Sequence, residues 1–330
     1  MVEKKSTAKI IDEVFYKNIY EKYYDDWIRN FALNLDNIWN GNSVRELIPK
    51  QNKTSKLSPA IIIGRGPSIH KYRHLDLLAK SNYEGTIICC DSALIYALKA
   101  GITPDKFENF LVITIDTQVH QRNLYNDPIV NKYGKKIKCI LSTTVPLSTY
   151  DVVNKAGMGV YWVHTLFDYD KGKTSFNYIA GVMTRAKNHK KGIPAIQTGG
   201  NVGTSAWMVA WAILKCSPLI LLGMDMGYPA ETTWEEIRLH KESHKIPHGL
   251  DQNSDAFKKA YPTVYNPEFD CYCKQDPIFQ YYSNAFKEFA PRAPKWVKTI
   301  NATGGGSIFG KGIRCINFKD FLKNMILEIK

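Results

Sequence analysis

The stretch Ala60-Ile61-Ile62-Ile63-Gly64-Arg65-Gly66-Pro67-Ser68-Ile69 decides the fold. An uninterrupted apolar run ends abruptly in two glycines, a proline and a serine. A strand without polar alternation is buried on both faces, as in the middle of a parallel sheet covered by helices. Ligands of such sheets bind just beyond the carboxyl ends of the strands. Gly64 and Gly66 remove Cβ atoms where the backbone must turn sharply or approach a ligand. Pro67 suits the first turn of a following helix, and Ser68 offers a hydroxyl there. Two readings fit: a loop that cradles an anion, or a tight strand-to-helix turn that holds nothing. The loop is neither the dinucleotide fingerprint, whose third glycine would fall on the large Ile69, nor a Walker loop. On the ligand reading, Gly66→Val abolishes nucleotide binding and leaves the fold intact.

Outward from this point, strands and helices alternate as in βαβ units: TIICCD, a helix through SALIYALKAG, NFLVITID, KIKCILSTT, VYWVHTL, a helix from Thr204 to Lys215, and PLILLGMD. The pattern predicts an α/β fold, a doubly wound (Rossmann-like) parallel sheet with N-terminal helices and a helical insertion or lid. Residues 1–56 read as an N-terminal helical extension and linker, and residues 57–228 as the nucleotide-binding core. Residues 229–297, rich in aromatic and charged side chains, form the insertion, and residues 298–330 return with a glycine loop, a strand and a helix that complete the core.

At 330 residues with 44% apolar content the chain can bury a sizeable core. The sequence carries no long uncharged apolar run and no secretory leader, so a cytosolic location is expected. Seven cysteines, scattered through apolar segments, read as reduced core thiols; Cys271 and Cys273 form a C-x-C without a second pair at zinc spacing. The net charge of +13 favours anionic partners or simply a soluble, lysine-rich surface.

Several positions carry candidate chemistry. Thr198-Gly199-Gly200-Asn201 leads into a helix whose first amides can hold an anion, or whose start is merely capped. Asp91, Asp116 and Asp225 follow three apolar strands, where ligand-facing groups sit. They can accept hydrogen bonds from a ribose or base or hold a divalent cation, and Asp91 is also well placed to cap the helix behind it. Tyr228 follows the last of these strand ends. His240, His244 and His248 recur every four residues, but Pro247 interrupts any continuous helix. The pair at 240 and 244 lacks the glutamate of H-E-x-x-H, so a general base on a lid is the preferred reading over zinc, with solvated surface histidines as the alternative.

Taken in order, Gly64-Arg65-Gly66-Pro67-Ser68, Cys90-Asp91-Ser92-Ala93-Leu94, Gly101-Ile102-Thr103-Pro104-Asp105, Ile115-Asp116, Gly199-Gly200-Asn201-Val202, Leu222-Gly223-Met224-Asp225-Met226-Gly227-Tyr228 and Asn301-Ala302-Thr303-Gly304-Gly305-Gly306 form a set. From about residue 57 onward the chain resembles the family that joins the 6-hydroxymethylpterin diphosphokinase MptE-like domain to the motility accessory factor glycosyltransferases, which are linked to transfer of nonulosonic acids onto flagellin. The glycine loop and the late G-x-D are also similar to those of bacterial sialyltransferases. That resemblance implies a CMP-sugar donor clasped by Gly64, Gly66, Pro67 and Ser68 and by the Gly199 turn. A histidine after Asp225 then deprotonates the acceptor, His244 first by position and His248 second. The pterin-kinase branch implies ATP and Mg2+ instead, with acidic residues at the second and third strand ends binding the metal; that branch carries two aspartates at the third strand end, whereas Ile113-Thr114-Ile115-Asp116-Thr117 offers one.

Three classes follow: a transferase using a nucleotide-activated small molecule, with an acceptor on a protein or glycan; an ATP- and Mg2+-dependent diphosphokinase; or a non-catalytic nucleotide-binding module. Nucleic acid is disfavoured as a partner, because the sequence has no aromatic recognition strand, zinc-finger spacing or basic recognition helix.

Overall fold

The computed structural model describes residues 21–49, 57–168, 170, 172–186, 192–239 and 251–328. A long helix, α1 (Glu21–Asn40), is followed by the two-residue strand β1 (Asn42–Ser43) and then by β2 (Ala60–Ile63). Short helices α2 (Ser68–Lys71) and α3 (His74–Lys80) lead into β3 (Thr86–Cys90), α4 (Asp91–Lys99), β4 (Phe110–Thr114), α5 (Pro128–Tyr133), β5 (Lys138–Ser142), α6 (Leu147–Lys155) and β6 (Gly159–Thr165). The chain continues through α7 (Phe176–Arg185), β7 (Ala195–Ile196), α8 (Val202–Ala212) and β8 (Leu219–Leu222). The insertion contributes β9 (Tyr228–Pro229), α9 (Trp234–Leu239), α10 (Asp255–Ala260), β10 (Thr263–Asn266), β11 (Cys271–Lys274) and α11 (Pro277–Phe289). Strands β12 (Thr299–Asn301) and β13 (Ile313–Cys315) and helix α12 (Phe318–Glu328) close the chain.

The large sheet runs β1-β6-β5-β4-β3-β2-β8-β12-β13, every neighbouring pair parallel, with β7 added beside β6. Strand β2 lies inside it, Ile63 standing opposite both Cys89 and Leu222. This explains its unbroken apolar sequence. Ile61 and Ile63 pack into one core with Leu78, Leu94 and Leu98, while Ala60 and Ile62 face a second core with Ala206, Trp207 and Ala210. All four strand residues are fully buried, and each buried isoleucine contributes about 1.5–3 kcal/mol relative to an exposed one. Winding proceeds from β2 through β6 on one side and through β8, β12 and β13 on the other, so the direction reverses between β2 and β8. Open α/β sheets bind ligands at such a reversal.

Helix α1 is amphipathic, yet its buried face carries Asn30 and Asn34 beside Phe31 and Ile38. The Asn30 amide donates to the Thr117 hydroxyl at 2.6 Å and to the Thr144 carbonyl at 3.0 Å, and Asn34 donates to the Val145 carbonyl at 2.7 Å. The helix is thus fastened across the carboxyl ends of β4 and β5. These bonds also satisfy side-chain N–H groups that would otherwise cost free energy in burial, while Asn34 Oδ1 is left without a partner.

The insertion differs from a purely helical one. Beside its helices it carries an antiparallel sheet of β10, β11 and β9, packed around Tyr228, Ile237, Phe257 and Tyr261. It is tied to the large sheet by the Asn266 amide donating to the Gly306 carbonyl at 2.8 Å and the Gln275 amide donating to the Met226 carbonyl at 2.8 Å. No helix among the described residues is long and apolar enough to cross a membrane.

Candidate functional site at the strand reversal

Three loops meet where the winding reverses. The loop after β2 is joined to the loop after β8 by the Gly64 amide donating to the Leu222 carbonyl and the Gly66 amide donating to the Gly223 carbonyl, both at 2.8 Å. The Ser68 hydroxyl donates to Asp225 Oδ2 at 2.7 Å, and the Ser68 amide to Oδ1 at 3.3 Å. From the third loop, after β12, the Ser307 amide donates to the Asp225 carbonyl at 2.9 Å. Asp225 is therefore the hub of the crevice, 7% exposed, and the neighbouring Met226 takes a left-handed φ of 49° that a non-glycine residue rarely adopts. Such strained residues concentrate at functional sites.

The structure gives the glycine at position 66 a specific reason. A Cβ there would lie 1.9 Å from Asp225 Oδ2 and 2.8 Å from the Gly223 carbonyl oxygen. The close approach that demands glycine is made by the chain's own carboxylate. This changes the expectation for Gly66→Val, which now carries a cost in folding as well as in binding. Most amides of this loop are also occupied internally, and beneath it Ile63, Gly64, Ile69 and Tyr96 help enclose only about 10 Å³, room for one water.

The glycine turn before α8 lies beside this hub. Asn201 caps the helix by accepting from the Thr204 amide at 2.8 Å, and the Thr198 hydroxyl accepts from the Gly200 amide at 3.1 Å. Gly200, with φ of 82°, sits where a Cβ would meet the rings of Tyr281 and Tyr282 on α11 within 2.9 Å. A Cβ on Gly203 would meet the Met224 side chain at 3.1 Å, so the start of α8 packs directly on the loop that carries Asp225. Thr198, Gly199, Gly200 and Asn201 are in this way brought to the same edge as Gly64, Gly66, Pro67 and Ser68.

The other aspartates turn to separate partners. Asp91 is buried and accepts from the Ser92 amide at 2.7 Å and from the Thr114 hydroxyl at 2.9 Å. Asp116 accepts from Gln121 Nε2 at 2.6 Å and from the Gln118 amide at 3.3 Å, and burial raises its pKa above the ordinary carboxylate value. Tyr228 is buried in the insertion, its hydroxyl donating to Asp276 at 3.0 Å. His240, His244 and His248 lie outside the described residues. Among the described residues no group of three His, Cys, Asp or Glu side chains is placed to hold a metal ion.

Polar residues that the sequence reading took only as a strand end also reach this edge. The Ser142 hydroxyl pairs with Thr165 at 2.7 Å and with Thr144 at 2.8 Å, and Thr143 pairs with His164 Nδ1 at 2.7 Å. Burial pushes the His164 pKa down to about 4, so the imidazole is neutral near pH 7. A run of three hydroxyl residues closing an apolar strand was the available signal, as were two asparagines four apart on the buried face of α1.

Burial raises the Asp225 pKa to about 6 despite the two bonds from Ser68. Its unfolded value is near 3.9, so the folded state holds the extra proton between about pH 4 and pH 6. Stability from this group is therefore full below pH 4 and is lost as pH rises through 6, an effect of about 2–3 kcal/mol. Asp225→Asn is expected to melt higher than the wild type at pH 8, with the difference vanishing near pH 4. Thermal melts of both proteins across that range check this; a pH-independent difference would show that the carboxylate ionises freely.

The solved MAf glycosyltransferase from Magnetospirillum magneticum AMB-1 is similar in fold, with a TM-score of 0.56 at 15% identity over 91% of this chain. The match spans 41% of that protein, so this chain covers less than half of its length. No curated protein sequence matches the chain. The family described as 6-hydroxymethylpterin diphosphokinase MptE-like matches residues 29–231, a span that runs from within α1 through strands β1 to β9 and holds two of the three loops that meet at Asp225, those after β2 and β8. With more than half of its length matched and the loops of that span meeting at one strand reversal, the chain belongs to the 6-hydroxymethylpterin diphosphokinase MptE-like family.

Proposed function

We propose that the protein is a nucleotide-dependent transferase of the glycosyltransferase kind, moving a CMP-activated nonulosonic sugar onto a hydroxyl of a protein or glycan. The observation that carries this reading is the meeting of the Gly64–Ser68, Gly199–Asn201 and Gly223–Met226 loops at the strand reversal around one buried carboxylate. The likeness in fold to a glycosyltransferase agrees with it. In this reading the first turn of α8 receives the donor phosphate, where amide dipoles favour negative charge. Asp225 releases Ser68 and accepts donor hydroxyls in its place. Asp91, Asp116 and Tyr228 border the donor without touching its phosphate. His244, with His248 as its substitute, removes the acceptor proton.

The first test is thermal stabilisation by CMP, CDP, UDP, ATP and GTP, each with and without Mg2+. CMP is expected to stabilise most, by about 2.7 kcal/mol at a hundredfold excess over its dissociation constant, without a requirement for Mg2+. Stabilisation only by ATP with Mg2+ would assign the chain to pyrophosphoryl transfer, the diphosphokinase reading. No shift with any nucleotide would overturn both enzymatic readings and leave a binding module for another ligand.

A further inference from the structure

A second opening lies further along the same carboxyl edge of the sheet, at the loops after β4 and β5. Between α1, the loop after β4 and the start of α6 is a cavity of about 510 Å³, within the range of about 300–1,000 Å³ usual for small-molecule sites. Its floor is polar. Asn30 and Thr117 are held there by their mutual hydrogen bond, and the Ser148 hydroxyl is buried without a partner. No side chain caps the first turn of α6, which begins at Leu147 on the cavity wall. Leu33, 54% exposed, and Val119, 58% exposed, stand on its rim beside the ion pair of Asp26 and Arg29, and Pro146 and Leu147 add apolar surface to the wall.

The lining selects among ligands. No Phe, Tyr or Trp lines the cavity, so its walls offer no large aromatic face to a nucleobase or a pterin ring. Its guanidinium, Arg29, is already paired with Asp26 at 2.5 Å, and that carboxylate also lines the cavity, which makes a phosphate a poor match. Beside that ion pair the lining offers the neutral donors and acceptors of Asn30, Thr117, Gln118 and Ser148 next to the aliphatic Leu33 and Val119. A sugar ring presents the complement, with hydroxyls at its edge and C–H groups on its faces. We propose that this cavity binds a neutral polyhydroxylated group, a sugar ring, as the acceptor-side ligand of the transferase. The catalytic meaning of the site rests on the transferase reading; the binding itself does not.

The probes are methyl β-D-glucoside, methyl β-D-galactoside and methyl N-acetyl-β-D-glucosaminide at millimolar concentration, observed by saturation-transfer NMR on the full chain. At least one glycoside is expected to bind the wild type. Leu33→Trp, at an exposed position that leaves the core untouched, fills the mouth and is expected to weaken that binding about tenfold or more. Gln118→Ala, which removes a polar side chain of the cavity wall, is expected to weaken it without lowering the melting temperature. Stabilisation by CMP should be the same in Leu33→Trp as in the wild type, so loss of CMP binding in every protein would count against the transferase reading alone. Absence of glycoside binding, binding unchanged in both variants, or displacement of the glycoside by AMP or inorganic phosphate would each overturn the sugar site.

Discussion

Gly66→Val is expected to melt far below the wild type, losing about 3 kcal/mol or more, and to show no stabilisation by CMP. Its first side-chain carbon would fall 1.9 Å from Asp225 Oδ2 and 2.8 Å from the Gly223 carbonyl oxygen. The carboxylate cannot retreat without breaking its bonds from Ser68, and the Gly223 carbonyl cannot without giving up the Gly66 amide. A double-mutant cycle isolates the cause. In the background of Asp225→Ala the nearest obstacle is gone, and Gly66→Ala should then cost less than it does in the wild type. Equal costs in the two backgrounds would locate the strain elsewhere in the loop.

His244→Ala is expected to lower turnover roughly 10²-fold or more, with donor affinity nearly unchanged, which is the scale for loss of a general base. The expectation follows from chemistry and position in the chain. An acceptor hydroxyl must lose its proton near neutral pH, and histidine is the side chain whose ordinary pKa suits that work. His244 follows the strand end at Asp225, and the surrounding insertion is fastened to that edge through Asn266 and Gln275. Steady-state kinetics of the two single variants decide the role. A loss in His248→Ala with none in His244→Ala transfers it to the neighbour, and full activity in both removes these histidines from the mechanism.

The central strands were legible because their signal is local. In Ile61-Ile62-Ile63, in Ile87–Cys90 and in Phe110–Ile113, burial on both faces demands apolar residues at every position, whatever the neighbour. The helix over Asp91–Lys99 and the one over Val202–Ala212 were equally readable from their apolar spacing and glycine borders. Strands β1 and β12 were not, since two or three residues carry no period, and each exists only because β6 or β8 offers it an edge to pair with. The sheet inside the insertion escaped because its strands are mostly exposed or half-buried, so no buried apolar run marks them.

The site divides in the same way. Sequence alone marked Gly64, Gly66, Ser68, Asp225 and the Gly199–Asn201 turn as special, because glycine clusters and a carboxylate after apolar runs are local anomalies. That Ser68 and Asp225, 157 residues apart, share a hydrogen bond was decided by tertiary structure, which set β8 beside β2 and so brought their two loops together. The fold likewise put Asn30 under the ends of β4 and β5, where α1 walls a cavity with Ser148 and Leu33. Local composition determines which segments must be buried and where the backbone must turn; which side chains then meet depends on the order of strands in the sheet, and that order is fixed by burying both faces of the sheet at once.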